Sequence, residues 1–387
     1  MSMTSKERVL ATINHEEPDR VPIVLGVSNA TGIKMKTYQQ IKALEGIEAP
    51  DEYIYDWPGL GTAKVDETTL QRLQADVRGV LDLEPEAIRE ANRMRPEGVP
   101  YRDSWRWDYY ANLQEGDPRA DKPPFRDVDT IDAVFDYPWP DTDDPTRYAH
   151  IKAQARKLAE ANEYVIMGTP WLLFPFERAN GMQGMDQFLL NMALNPDFAK
   201  ALLGKLTEIS KEIMGHFLAE AGQYIDIIKI GDDLGTQESL LISPKMYREI
   251  LKPFHADLIA FTKERTDARL MFHTDGDVFN LIDDFIEIGV DILNPIQTSA
   301  GSMSDLEGLK KNFGDRMVFC GGIDTHKVLP EGSPDEVQQE VRRVISALGK
   351  GGGYMVGGVH TIMNDVPAEN VLAMVDSVEK YGRYPLR

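Results

Sequence analysis

Leu270-Met271-Phe272-His273-Thr274-Asp275-Gly276 is an apolar run that closes on a histidine, an aspartate two positions later, and a glycine. Side chains two apart on a strand point to one face, so His273 and Asp275 reach the same cavity. Tyr354-Met355-Val356-Gly357-Gly358-Val359-His360 is a second such run, and it also closes on a histidine. A helix-forming pattern follows each. Both read as strand ends in a β/α repeat, and in parallel barrels chemistry is built at the carboxyl ends of the strands.

Working outward, six more apolar runs complete the pattern. Val21–Gly26, Ala75–Val80, Tyr164–Thr169 and Ile225–Gly231 come before His273; Val290–Asn294 and Met317–Gly322 lie between the two histidine strands. Near-continuous rather than alternating hydrophobicity suits a parallel sheet covered by helices. The expected fold is therefore α/β, a (β/α)8 TIM barrel, with residues 1–387 as one domain. Ser333-Pro334-Asp335-Glu336 is a capping box with proline in the first turn, and Gly351-Gly352-Gly353 is expected to end that helix. Ser243-Pro244 and Asn195-Pro196 open helices in the same style. From Glu84 to Thr146 the pattern changes to an insertion rich in aromatics, proline and aspartate, including Trp105, Trp107, Trp139 and Pro140. Such a segment covers a site or forms an interface, for instance in a homodimer.

Bulk properties narrow the function. Of 387 residues, 42% are hydrophobic and 27% charged, the mix of a soluble globular protein. No apolar stretch has the length of about eighteen residues that a spanning helix needs, and the first residues lack an apolar signal core, so a cytoplasmic setting is expected. The net charge of −21 argues against nucleic acid or an anionic membrane as partner. One cysteine, Cys320, excludes an internal disulfide and any multi-cysteine zinc cage.

His273, Asp275 and His360 offer two imidazoles and a carboxylate, the ligand count of a catalytic zinc site that keeps one position open. The blander reading is a hydrogen-bonded core histidine. Asp232-Asp233 ends the fourth strand, so one carboxylate faces the mouth and the other faces away; Asp233 is the candidate catalytic group, against a solvated turn pair. Asn294 and Gln297 suit orienting a polar substrate, although amides also cap loops. Asp324 follows Gly321-Gly322 at the rim, and Trp105 and Trp107 can stack on a substrate. Cys320 reads as core. His15, His150, His216, His255 and His326 read as structural or surface.

Asp19-Arg20-Val21-Pro22, His273-Thr274-Asp275-Gly276, Gly289-Val290-Asp291-Ile292-Leu293-Asn294-Pro295, Gly321-Gly322-Ile323-Asp324 and Asp365-Val366-Pro367-Ala368-Glu369-Asn370 with Tyr381-Gly382 together resemble the uroporphyrinogen decarboxylase superfamily. The resemblance covers Asp19–Gly26 and most of Ile225–Tyr384, and it implies a (β/α)8 barrel. True decarboxylases of that superfamily carry an arginine-rich motif after the first strand; here the place reads Gly26-Val27-Ser28-Asn29-Ala30-Thr31-Gly32, without arginine. Another branch is similar to zinc methyltransferases that work with corrinoid proteins. Their metal pattern is His-x-Cys plus a cysteine at the end of the last strand, where this chain has His273-x-Asp275 and His360. Harder oxygen and nitrogen ligands replace soft thiolates, which turns the expectation from a thiol acceptor such as coenzyme M toward methyl-ether or methylamine-type donors.

The resemblance thus implies a corrinoid-linked methyltransferase that demethylates small methoxylated compounds, with zinc as metal and cobalamin carried by a partner corrinoid protein. His273, Asp275 and His360 hold the metal in that reading, with Asp233 and Gln297 nearby. The alternatives are a metal-free decarboxylase or lyase on a small carboxylic acid, with Asp233 and His360 as acid and base, and a corrinoid- or tetrapyrrole-binding protein without catalysis.

Overall fold

The computed structural model describes residues 3–56, 60–95, 101–105, 108–110, 119–120, 123–170 and 175–386. Trp107 lies outside them. The strands, in chain order, begin with β1 (Val77–Leu81). The short β2 (Tyr101–Arg102), β3 (Asp108–Tyr110) and β4 (Arg119–Ala120) follow, and then β5 (Val165–Thr169), β6 (Ile227–Gly231), β7 (Arg269–His273), β8 (Ile292–Asn294), β9 (Val318–Ile323) and β10 (Tyr354–Gly358). Sheet order is β1-β5-β6-β7-β8-β9-β10, every pair parallel, while β2–β4 form a separate antiparallel sheet. Helices cover the outside of the large sheet, as its buried strands require. This is an α/β fold of the (β/α)8 barrel type.

Val21–Gly26 does not form a regular strand, yet it closes the curl. The Val24 N–H bonds to the Val356 carbonyl and the Val356 N–H to the Pro22 carbonyl, both at 2.8 Å. On the other side the Asp76 N–H bonds to the Ile23 carbonyl at 2.9 Å, and the Ile23 N–H goes to the Asp76 carboxylate at 2.8 Å. The ladder is irregular for two reasons: Pro22 has no N–H to give, and a side chain takes the one from Ile23. Asp76 is fully buried and also receives Arg8 at 2.6 Å and Arg20 at 2.8 Å.

Element boundaries moved slightly. β10 ends at Gly358, so His360 lies two residues beyond the strand, where residues 360–362 turn to pair with residues 32–34. The helix opened by the Ser333 capping box runs Pro334–Leu348 and is closed by the Gly349 N–H, before the three glycines. The insertion holds two helices, Glu86–Arg93 and Ile131–Asp136, besides the small sheet. It grips the helix Pro175–Gln183, which lies beyond the carboxyl end of β5: the Phe125 N–H bonds to the Met182 carbonyl at 2.8 Å, and Gln183 to the Val128 carbonyl at 3.0 Å. Among the described residues no helix is long and apolar enough to cross a membrane.

Candidate metal centre

The loops after β6 and β7 touch backbone to backbone. Gly276 takes φ +86°, and a Cβ on it would stand 2.3 Å from the Gly235 carbonyl carbon, so only glycine permits this approach. The contact brings the carboxyl ends of the two strands into one mouth. Asp233 accepts the Asp275 N–H at 3.0 Å, and Gln297 accepts the Gly276 N–H at 2.7 Å. The loop carrying Asp275 is thus held from both sides.

One ligand atom each from His273, Asp275 and His360 lie within 4.8 Å of one another. His360 Nε2 is 3.9 Å from Asp275 Oδ2, and the two imidazole centroids are 5.4 Å apart. His273 Nδ1 stands 2.8 Å from Asn294 Oδ1, while the Asn294 amide nitrogen points to the Cys320 carbonyl at 3.4 Å. An amide oxygen only accepts, so Nδ1 carries the proton and Nε2 keeps its lone pair. That is the outer-sphere arrangement which orients a ligating imidazole. Asp275 Oδ1 is buried and has no hydrogen-bond partner among the described residues. An orphaned carboxylate oxygen beside two imidazoles fits a divalent cation such as zinc. Tetrahedral bonds of about 2.1 Å put ligand atoms about 3.4 Å apart, a small closure from the spacing seen.

Electrostatics agree with the geometry. Burial, then the charges of Asp233 and Glu177, holds the Asp275 carboxyl well above the usual carboxylate range. Burial, then Lys229 and His360, keeps His273 well below the usual imidazole value; burial and Lys229 push His360 down to about 4. Both rings are therefore neutral and can ligate.

Two further groups face this mouth. Lys229 sits mid-strand on β6, fully buried, its amine pushed down to about 8 by burial against the opposing pull of Asp233, Glu177 and Asp275. Glu177 stands in the first turn of Pro175–Gln183. Walled in by protein but open to the solvent of the mouth, its carboxyl is raised by the low-dielectric surroundings and then by Asp233 and Asp232. Sequence reasoning missed both. A charge inside the apolar run Ile227-Ile228-Lys229-Ile230 was a usable signal; Glu177 carries none.

The aspartate pair divides its work. Asp232 turns away from the mouth, fully buried, accepting the backbone N–H groups of Phe176 at 2.8 Å and Glu177 at 2.7 Å, and the His255 Nε2–H at 2.9 Å. It fixes the helix that presents Glu177. Asp233 faces the mouth and braces Asp275. Asn294 and Gln297, expected to orient substrate or stand near the metal, hold His273 and the Asp275 loop. Asp324 spends its Oδ1 on the N–H groups of His326 and Lys327, capping its own loop. Trp105 is 1% exposed, edge-on to Trp139 and covered by the Arg178 guanidinium at 4.7 Å, which leaves no face for stacking. Cys320 is buried, its thiol pushed up to about 12 by desolvation.

The sequence profile of the family described as Uroporphyrinogen decarboxylase (URO-D) matches residues 109–381, beginning within the insertion. A curated relative named uroporphyrinogen decarboxylase from Pseudoalteromonas atlantica is 22% identical over 280 residues, covering 70% of this chain and 73% of its own. One of the same name from Psychromonas ingrahamii is 24% identical over 219 residues, 55% of this chain and 57% of its own. Among solved structures, a methyltransferase from Methanosarcina mazei superposes with a TM-score of 0.66 over 98% of this chain and 99% of its own, at 18% identity. At that identity the likeness speaks for the fold.

Proposed function

The chain belongs to the uroporphyrinogen decarboxylase family, and within it we propose a metal-assisted methyltransferase that passes a methyl group from a small methoxylated compound to the reduced cobalt of a cobalamin, carried by a partner corrinoid protein. The observation that carries this reading is the convergence of His273, Asp275 and His360 within 4.8 Å, with one Asp275 oxygen unpartnered among the described residues. Zinc held there supplies a Lewis acid for the ether oxygen and the charge that develops on it. Asn294 fixes the His273 ring so that Nε2 faces the mouth. Asp233 and Gln297 hold the loop so that the Asp275 carboxylate stays beside the rings. The methyl leaves as its bond to oxygen breaks, and the oxygen left behind needs a proton. Glu177, protonated and facing the mouth, is placed to provide it from its carboxyl. Lys229 offsets the charge of Asp233 and Asp275 beneath.

The absent arginines after the first strand, with an acidic mouth, disfavour a polycarboxylate tetrapyrrole as substrate. Decarboxylation of a smaller acid, with Asp233 and His360 as acid and base, is the competing chemistry, and a non-catalytic tetrapyrrole binder is the third. Incubating the zinc-loaded protein with free cob(I)alamin and methoxylated donors decides between them. Methylcobalamin formation supports the proposal; release of carbon dioxide from a carboxylic acid by metal-free protein would replace it.

A further inference from the structure

Glu177 owes its place in the mouth to contacts that reach back into the outer helix layer. Pro175 has no N–H to give, and the next two donors of its helix both go to Asp232: Phe176 to Oδ2 at 2.8 Å and Glu177 to Oδ1 at 2.7 Å. Asp232, just past β6, thus caps the helix that follows the neighbouring strand β5. Its Oδ2 also accepts the His255 Nε2–H at 2.9 Å, and His255 Nδ1 stands 3.3 Å from the Tyr247 hydroxyl. Asp232, His255 and Tyr247 are all buried, and the His255 ring stands edge-on to Phe272 at 5.2 Å. Tyr247 opens a π-helical turn, Tyr247–Leu251, which runs into the helix Lys252–Lys263 that carries His255. Such turns are rare and frequent at functional sites; Pro253, with no N–H for the Glu249 carbonyl, favours one here.

A buried aspartate, histidine and tyrosine add little to stability over apolar residues that would fill the same space. What they add is direction, a hydrogen-bonded line from the helix layer to the acid of the mouth. We infer that His255, backed by Tyr247, is a positioning residue: through Asp232 it holds the helix Pro175–Gln183 so that the Glu177 carboxyl stays in the mouth. The line acts by geometry, and no proton moves along it. The inference rests on the methyl-transfer reading for the step that Glu177 serves, and on these contacts alone for the positioning.

His255→Leu and His255→Gln test it. Leucine keeps the apolar contacts and carries no donor; glutamine brings an N–H to nearly the place of Nε2. Two readouts on zinc-loaded protein follow both variants. Hydrogen exchange by mass spectrometry reports on the helix Pro175–Gln183 with no donor present. Methyl transfer from a methoxyphenol to cob(I)alamin reports kcat and KM. His255→Leu should speed exchange in that helix and lower kcat about tenfold to a hundredfold, with KM and zinc affinity unchanged. His255→Gln should restore most of both. In a Glu177→Gln background His255→Leu should cost kcat nothing further, since the two changes remove one function. Tyr247→Phe, which deletes a single hydroxyl, should move both readouts severalfold in the same direction, and it carries the test if His255→Leu does not fold. Exchange unchanged in the variants, equal losses in His255→Leu and His255→Gln, or a loss that adds to that of Glu177→Gln would overturn the inference and leave methyl transfer standing. Wild-type protein that makes no methylcobalamin, with the exchange order intact, would remove the methyl-transfer reading and keep the positioning.

Discussion

Asp275 must lose a proton to ligate a metal, and its surroundings make that proton hard to lose. Burial and the charges of Asp233 and Glu177 raise its carboxyl well above the usual value, whereas His273 and His360 are lowered and stay neutral. Zinc uptake therefore releases a proton from the carboxyl and none from the rings. Apparent zinc affinity should rise with pH, measured by titration against a competing chelator across the pH range in which the protein stays folded; affinity independent of pH would contradict the assignment. His273→Ala should abolish zinc binding and methyl transfer with the far-ultraviolet circular dichroism unchanged, because the ring lies in the mouth. A variant that kept full activity would end the metal proposal. At this scale the sequence was readable where chemistry follows spacing, as in His273-x-Asp275. It could not assign Asn294, Gln297 or Trp105 a role, because an amide or an indole looks the same whether it touches a substrate or a neighbour.

The elements that carry these residues depend on close backbone approach. Gly276 against Gly235 ties the loop after β7 to the loop after β6, and Gly231 lies equally close to the His273 carbonyl, 2.1 Å from where a Cβ would stand. Gly276→Ala should cost about 1–3 kcal/mol through its positive φ alone, lowering the melting temperature. By displacing Asp275 it should also weaken zinc binding more than it weakens the fold. A variant with wild-type zinc affinity would show that the loop contact does not position the ligand. Strand existence was legible from continuous apolar runs, and the boundaries shifted by a residue or two. Val21–Gly26 shows why the rest was not: its hydrophobicity is that of a strand, but Pro22 and the Asp76 side chain remove the ladder hydrogen bonds that define one.

For the molecule as a whole, Asp76 is the clasp where the curled sheet meets its own beginning. It is fully buried and joins Arg8, Arg20 and the Ile23 N–H from the N-terminal segment to the edge at β1. Asp76→Asn would leave two arginines short of their counter-charge, so a loss of about 3–5 kcal/mol is expected, read from denaturant unfolding. A loss below about 1 kcal/mol, the size of a surface pair, would mean that closure does not depend on it. His273 ends β7 and His360 follows β10, and between them the chain runs through β8 and β9. An ion gripped by both histidines ties a knot-free noose around that whole arc of wall. Chelation would then loosen masonry as well as disarm chemistry, and a protease should find its first cuts between residues 273 and 360.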